Sequence, residues 1–127
     1  MDPGFTIFAI DFDGTIVDHQ YPNIGNEKPF AVEVLKALQA QGDKIIIWTC
    51  RDGEYRQDAV NWLEAQGFIP DAVNENVVRM GKTAQKKIYC HYCFDDRNWP
   101  TFPGWEEVAL NFIEDAAVIS KILTKVN

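Results

Sequence analysis

Phe5-Thr6-Ile7-Phe8-Ala9-Ile10-Asp11-Phe12-Asp13-Gly14-Thr15 is the stretch whose reading decides the fold. Its first six residues are rich in aromatic and β-branched side chains, so they read as a buried strand. A buried strand that ends in two carboxylates is costly unless something offsets their charge. A divalent cation is the usual partner, and Gly14 supplies the tight turn that aims the acids at it. The side-chain period of two along a strand puts Asp11 and Asp13 on the same side of the chain.

Working outward, residues 15–29 are punctuated by Pro22, Gly25, Asn26 and Pro29, and read as a long loop with room for a short hairpin. Loops of that length in a compact domain are often functional. Residues 30–41 carry Phe30, Val32, Val34, Leu35 and Leu38 at helical spacing, with Gly42 as a stop. Lys44-Ile45-Ile46-Ile47-Trp48-Thr49 is a second buried strand, and its unbroken apolar run suits a parallel sheet. A second helix follows over 54–66, then a short strand or extended link over 69–74. Residues 87–94 read as the last strand, ending at Asp95-Asp96, and 104–123 as one closing helix.

Strands alternating with helices predict an α/β fold, a Rossmann-like parallel sheet flanked by helices. In such sheets ligands sit beyond the carboxyl ends of the strands. Asp11, Asp13, Thr49, Asp95 and Asp96 all fall at that end, delivered by three separate strands. Like charges gathered so closely repel by several kcal/mol at protein dielectric, roughly. A hard ion such as Mg²⁺, which takes carboxylates, waters and substrate phosphate as ligands, resolves the conflict.

The chain has 127 residues, which suits a single domain over 1–127. Its formal net charge of -7 argues against non-specific binding to nucleic acid or anionic membrane. An anionic substrate remains compatible, because a metal can reverse the field inside a pocket. No apolar run approaches the roughly 20 residues that span a bilayer. The N-terminus lacks the basic and apolar regions of a signal peptide. Three cysteines form no framework of pairs, which points to a reducing, cytoplasmic setting.

These segments resemble the haloacid-dehalogenase-like (HAD) hydrolases, which are mostly phosphatases. Asp11-Phe12-Asp13-Gly14-Thr15 matches their first motif, and Thr49 after Ile45-Ile46-Ile47-Trp48 their second. Asp95-Asp96 after Phe94 matches the acidic fourth motif. The third is a lysine upstream of that pair, for which Lys82, Lys86 and Lys87 are candidates and Lys87 is favoured by its spacing. Asp95-Asp96-Arg97-Asn98 followed by Pro103-Gly104-Trp105 is similar to the small, capless members of the family. The resemblance implies a HAD core without a cap domain and a Mg²⁺-dependent phosphatase acting on phosphate monoesters. Asp11 would be the nucleophile that forms an aspartyl-phosphate, and Asp13 the general acid and base. Mg²⁺ would be held by Asp11, Asp13 (through its backbone carbonyl) and the pair Asp95 and Asp96. Thr49, Lys87, Cys50 and Arg51 would surround the phosphoryl group. For Arg51 and Arg97, pairing with surplus carboxylates is an equal alternative.

Without a cap, the loop over 18–29 is the candidate cover, and a partner in a homo-oligomer could also close the site. The expected partner is a small phosphate ester. Phe94-Asp95-Asp96-Arg97 also resembles the acidic motif of phage polynucleotide kinase-phosphatases, which keeps nucleotides and polynucleotide 3′ ends as alternative substrates. A catalytically inactive HAD-like binding module is a third reading, disfavoured because both first-motif acids are intact. Cys90-His91-Tyr92-Cys93 has the spacing of a metal motif, but residues three apart on a strand face opposite sides. Gly81-Lys82-Thr83 has the end of a phosphate-binding loop, but Asn76 stands where its first glycine is required. Of four tryptophans, Trp99 beside the acidic pair is the one expected nearest a substrate.

Overall fold

The structure is a computed structural model that describes residues 4–78 and 88–125. Four short parallel strands form one sheet: β1 (Ile7–Ile10), β2 (Lys44–Ile47), β3 (Ala72–Val73) and β4 (Tyr92–Phe94). Their order is β3-β2-β1-β4, with every neighbouring pair parallel. Helices α1 (Ala31–Ala40), α2 (Gly53–Ala65), α3 (Trp105–Phe112) and α4 (Ala116–Leu123) complete the described elements. None of the described helices is long and apolar enough to cross a membrane.

The strand period of two divides the apolar run between two faces. Phe8, Ile10, Ile45 and Ile47 join the large core with Val34, Leu35 and Leu38 of α1, Ala59 and Leu63 of α2, and Val108 of α3. Ile7, Ile46 and Ala72 form a smaller cluster on the other face, packed against Val77, Val78, Ile88 and Tyr89. Because both faces are covered, a strand such as Ile45-Ile46-Ile47 must be apolar throughout, and each fully buried Ile contributes about 1.5–3 kcal/mol.

The first three strands are shorter at their ends than the sequence expectations, and the elements differ in three further places. The 15–29 loop does make the expected hairpin contact, an antiparallel bridge between Val17 and Glu27. Its end then starts α1, where the Glu27 carboxylate accepts from the Val32 amide at 3.1 Å. The first difference is that α1 begins at Ala31, with Phe30 held in a left-handed conformation at φ 67°.

The second is that β4 is shorter than 87–94. The His91 Nδ1 accepts from the Ile7 amide at 2.9 Å, so an imidazole stands where a backbone carbonyl would continue the ladder. The third is that the closing segment is two helices rather than one. Ile113 is extended, and Asp115 caps α4 by accepting from the Ala117 amide at 2.9 Å. Gln41 stabilises the break, donating to the Phe112 carbonyl at 2.7 Å and accepting from the Glu114 amide at 3.0 Å.

Candidate active site

β1 is flanked by β2 and β4, so the segments leaving these three strands emerge side by side at one edge. The backbone pairing continues past the strands: the Asp11 amide donates to the Phe94 carbonyl at 2.9 Å, and the Trp48 amide to Ile10 at 2.8 Å. This registers Asp11 against the Asp95-Asp96 pair and against Thr49.

Carboxylate oxygens of Asp11, Asp95 and Asp96 lie within 4.8 Å of one another. Asp11 and Asp95 are half-buried and Asp96 is exposed. Burial, then the charges of Asp95 and Asp96, push the Asp11 carboxyl up to about 7, with a smaller push from Asp13. A backbone hydrogen bond from Phe12 opposes the rise. Oxygen donors alone, crowded and mutually repelling, are a donor set that fits a hard divalent cation.

Thr15 ties this group together from beneath. It is fully buried, its hydroxyl accepts from the Asp96 amide at 3.1 Å, and it reaches Asp11 Oδ2 at 3.4 Å. Its carbonyl accepts from the Trp105 indole at 2.8 Å, which fastens the start of α3 to the same turn. Gly14, at φ 88°, passes so close to Asp96 that a Cβ there would overlap the carboxylate, with Asp96 Cγ at 2.7 Å. The positive φ favours glycine, and a Cβ there would also have to push the Asp96 carboxylate aside.

Asp13 goes elsewhere. Its oxygens accept from Arg51 Nε at 2.7 Å and Nη2 at 2.8 Å, a two-pronged ion pair. The remaining Arg51 N–H groups donate to the carbonyls of Pro22, Asn23 and Tyr55. Arg51 is 2% exposed and all five of its donors are engaged. This pairing decides between the two roles open to Arg51. Arg51 has no N–H left for a phosphoryl group, so it takes the alternative role of pairing with an acid. The Asp13 side chain lies outside the three-acid group, so any metal ligand from this residue is its backbone carbonyl.

Thr49 is held by a residue that the sequence reading missed. Asn74, left-handed at φ 54°, accepts from the Thr49 amide at 2.8 Å and donates to its carbonyl at 2.9 Å. Asn is among the few non-glycine residues that tolerate that backbone, and its position at the end of β3 was the available signal. The Thr49 hydroxyl accepts from the Arg51 amide at 3.1 Å, which leaves its O–H as a donor. Cys50 is exposed beside it.

A cavity of about 320 Å³ opens over the acids, lined by Asp11, Asp13, His19, Tyr21, Thr49, Cys50, Arg51, Asp95 and Arg97. His19 and Tyr21 come from the 15–29 loop, so that loop does border the site. Trp99 is not among the lining residues and is 95% exposed. The three lysine candidates, Lys82, Lys86 and Lys87, and the Gly81-Lys82-Thr83 stretch lie outside the described residues. Cys93 is exposed, Cys90 is half-buried and His91 Nδ1 accepts from the Ile7 amide; among the described residues the only group of three or more potential metal ligands is that of Asp11, Asp95 and Asp96.

Fold and site together define an α/β protein with an acidic cavity at the carboxyl edge of a four-stranded parallel sheet. A solved structure of a conserved protein from Bacteroides thetaiotaomicron superposes with a TM-score of 0.76 at 39% identity, covering 83% of this chain and 87% of that one. The chain belongs to the same family as that protein. It is also 30% identical over 89 residues to a Bacillus cereus protein named "Putative nucleotidase". That match takes in 65% of this chain but 46% of the relative, so the chain spans about half of the relative's length. No family model matches the chain.

Proposed function

We propose that this protein is a Mg²⁺-dependent phosphatase of the HAD type, one capless domain that hydrolyses phosphate monoesters. The observation that carries the reading is the meeting of Asp11, Asp95 and Asp96 within 4.8 Å at the sheet edge. The name of the Bacillus cereus relative supports phosphatase or nucleotidase chemistry. A Mg²⁺ ion held by these acids and the Asp13 carbonyl would supply Lewis-acid charge that balances the phosphoryl oxygens and keeps Asp11 ionised.

The chain's own groups then divide the reaction. An Asp11 carboxylate oxygen attacks phosphorus, a P–O bond forms, and the bond to the leaving oxygen breaks. Asp13, once freed from Arg51 and protonated from solvent, gives that proton to the leaving oxygen and later removes one from the water that hydrolyses the aspartyl-phosphate. Arg51 aims Asp13 at that position, and one Asp13 oxygen must leave the guanidinium for the transfer to occur. Thr49 O–H and Cys50 border the phosphoryl oxygens, and Lys87 is the proposed cation there. Asp11 is half-buried, which limits competing water. A cytoplasmic setting and a small-molecule substrate complete the reading.

The test is hydrolysis of an aliphatic and an aryl phosphate with and without Mg²⁺. Turnover that requires Mg²⁺ and disappears in Asp11→Asn supports the assignment. Equal turnover by Asp11→Asn would end it.

A further inference from the structure

Six large hydrophobic side chains stand exposed among the described residues: Tyr21, Tyr55, Ile69, Tyr92, Trp99 and Leu110. One of them, Tyr21, lines the acidic cavity. It is 48% exposed, yet its ring is not loose. The Arg51 guanidinium lies 5.1 Å from the ring centroid, and Tyr55 meets it in a T-shaped contact at 5.6 Å. Arg51 is itself fixed by the carbonyls of Pro22 and Asn23, the two residues after Tyr21. The same guanidinium that holds Asp13 therefore also anchors the loop that carries this ring.

A cation-backed aromatic ring lining an acidic cavity is suited to stack a planar ring, and contacts that hold it in place beforehand lower the cost of binding. The cavity volume of about 320 Å³ lies at the lower end of small-ligand sites. The net charge of -7 disfavours a long polyanion that would run on past the cavity.

We propose that Tyr21, braced by Tyr55 and Arg51, is the base-stacking platform of the site, and that the substrate is a nucleoside monophosphate. This rests on the phosphatase reading above and adds the leaving group to it. Phosphate meets the acids and Thr49, and the base lies against Tyr21. Cation–π contact from Arg51 adds to the ring's fixed position rather than to the phosphate's.

The test has two arms. In the first, Mg²⁺-loaded protein is assayed on adenosine 5′-monophosphate, ribose 5-phosphate and a 3′-phosphorylated oligonucleotide. The expected order puts the mononucleotide first, and Tyr21→Ala lowers the kcat/KM ratio of nucleotide to ribose phosphate by about tenfold or more, with Tyr21→Phe keeping it. In the second, calorimetry on Asp11→Asn reads binding of the same two small esters without turnover, and the affinity ratio falls likewise on adding Tyr21→Ala.

A ratio unmoved by Tyr21→Ala in both arms overturns the platform while the phosphatase reading stands. An oligonucleotide preferred over the mononucleotide overturns the substrate class. No hydrolysis of any ester, with nucleotide binding still dependent on Tyr21, overturns the phosphatase reading and keeps the platform.

Discussion

At the scale of single residues, the two acids of one turn have opposite surroundings. Asp11 faces other carboxylates, whereas Asp13 faces a guanidinium, although both follow the same strand with the same side-chain period. The sequence made both acids legible as site residues. It did not show the partner of either, because Arg51 is 38 positions away from Asp13 in the chain. The Asp11 carboxyl, at about 7 folded against an ordinary 3.8, binds its proton more tightly in the native state. In protein stripped of metal with EDTA, that contribution to stability is fully present below about pH 4 and is lost as pH rises through about 7. Thermal melts between pH 4 and 8 should therefore show a falling Tm, and Asp11→Asn should flatten the fall. Removing Arg51 leaves Asp13 half-enclosed without its counter-charge and takes a donor from the loop carbonyls of Pro22 and Asn23 and from the Tyr55 carbonyl of α2. Arg51→Ala should cost about 3–5 kcal/mol in urea unfolding, with Arg51→Lys losing less.

At the scale of elements, strands and helices were read correctly where the pattern was strong, as in Ile45-Ile46-Ile47 and the α1 stripe. The errors fall where a polar side chain replaces a backbone group. His91 shortens β4 by taking the Ile7 amide, and Asp115 with Gln41 divides the closing helix. Such replacements leave no trace in hydrophobic periodicity. The turn after β1 depends on close approach rather than on pattern, and Gly14→Ala tests it. Its Cβ would displace the Asp96 carboxylate and its φ of 88° would be strained, so a loss of about 1–3 kcal/mol is expected, together with weaker metal affinity. Loss of metal affinity at unchanged stability would instead localise the effect to Asp96.

At the scale of the whole molecule, the parallel sheet gives the acids a common edge. Its order β3-β2-β1-β4 is what makes Asp11, Thr49 and the Asp95-Asp96 pair neighbours. That convergence was legible because in parallel α/β sheets the carboxyl ends of the strands share one edge. The cover was legible only as a loop, and its aromatic contribution from Tyr21 was not, since a lone tyrosine between His19 and Pro22 carries no period. A cation that binds the folded acids and not the unfolded chain must raise stability by mass action. Mg²⁺ at about 100 times its Kd should add about 2.7 kcal/mol to unfolding, and Asp95→Asn should remove most of that gain. The proposed mechanism requires Asp11 to become covalently phosphorylated beside its acidic neighbours. Acid quench of the enzyme during turnover with Mg²⁺, followed by peptide mass spectrometry, measures this directly. A phosphoryl adduct on the Asp11 peptide, absent without Mg²⁺ and absent in Asp11→Asn, is the predicted result. Sustained turnover with no adduct, and with Asp11→Asn as active as the parent, would contradict it.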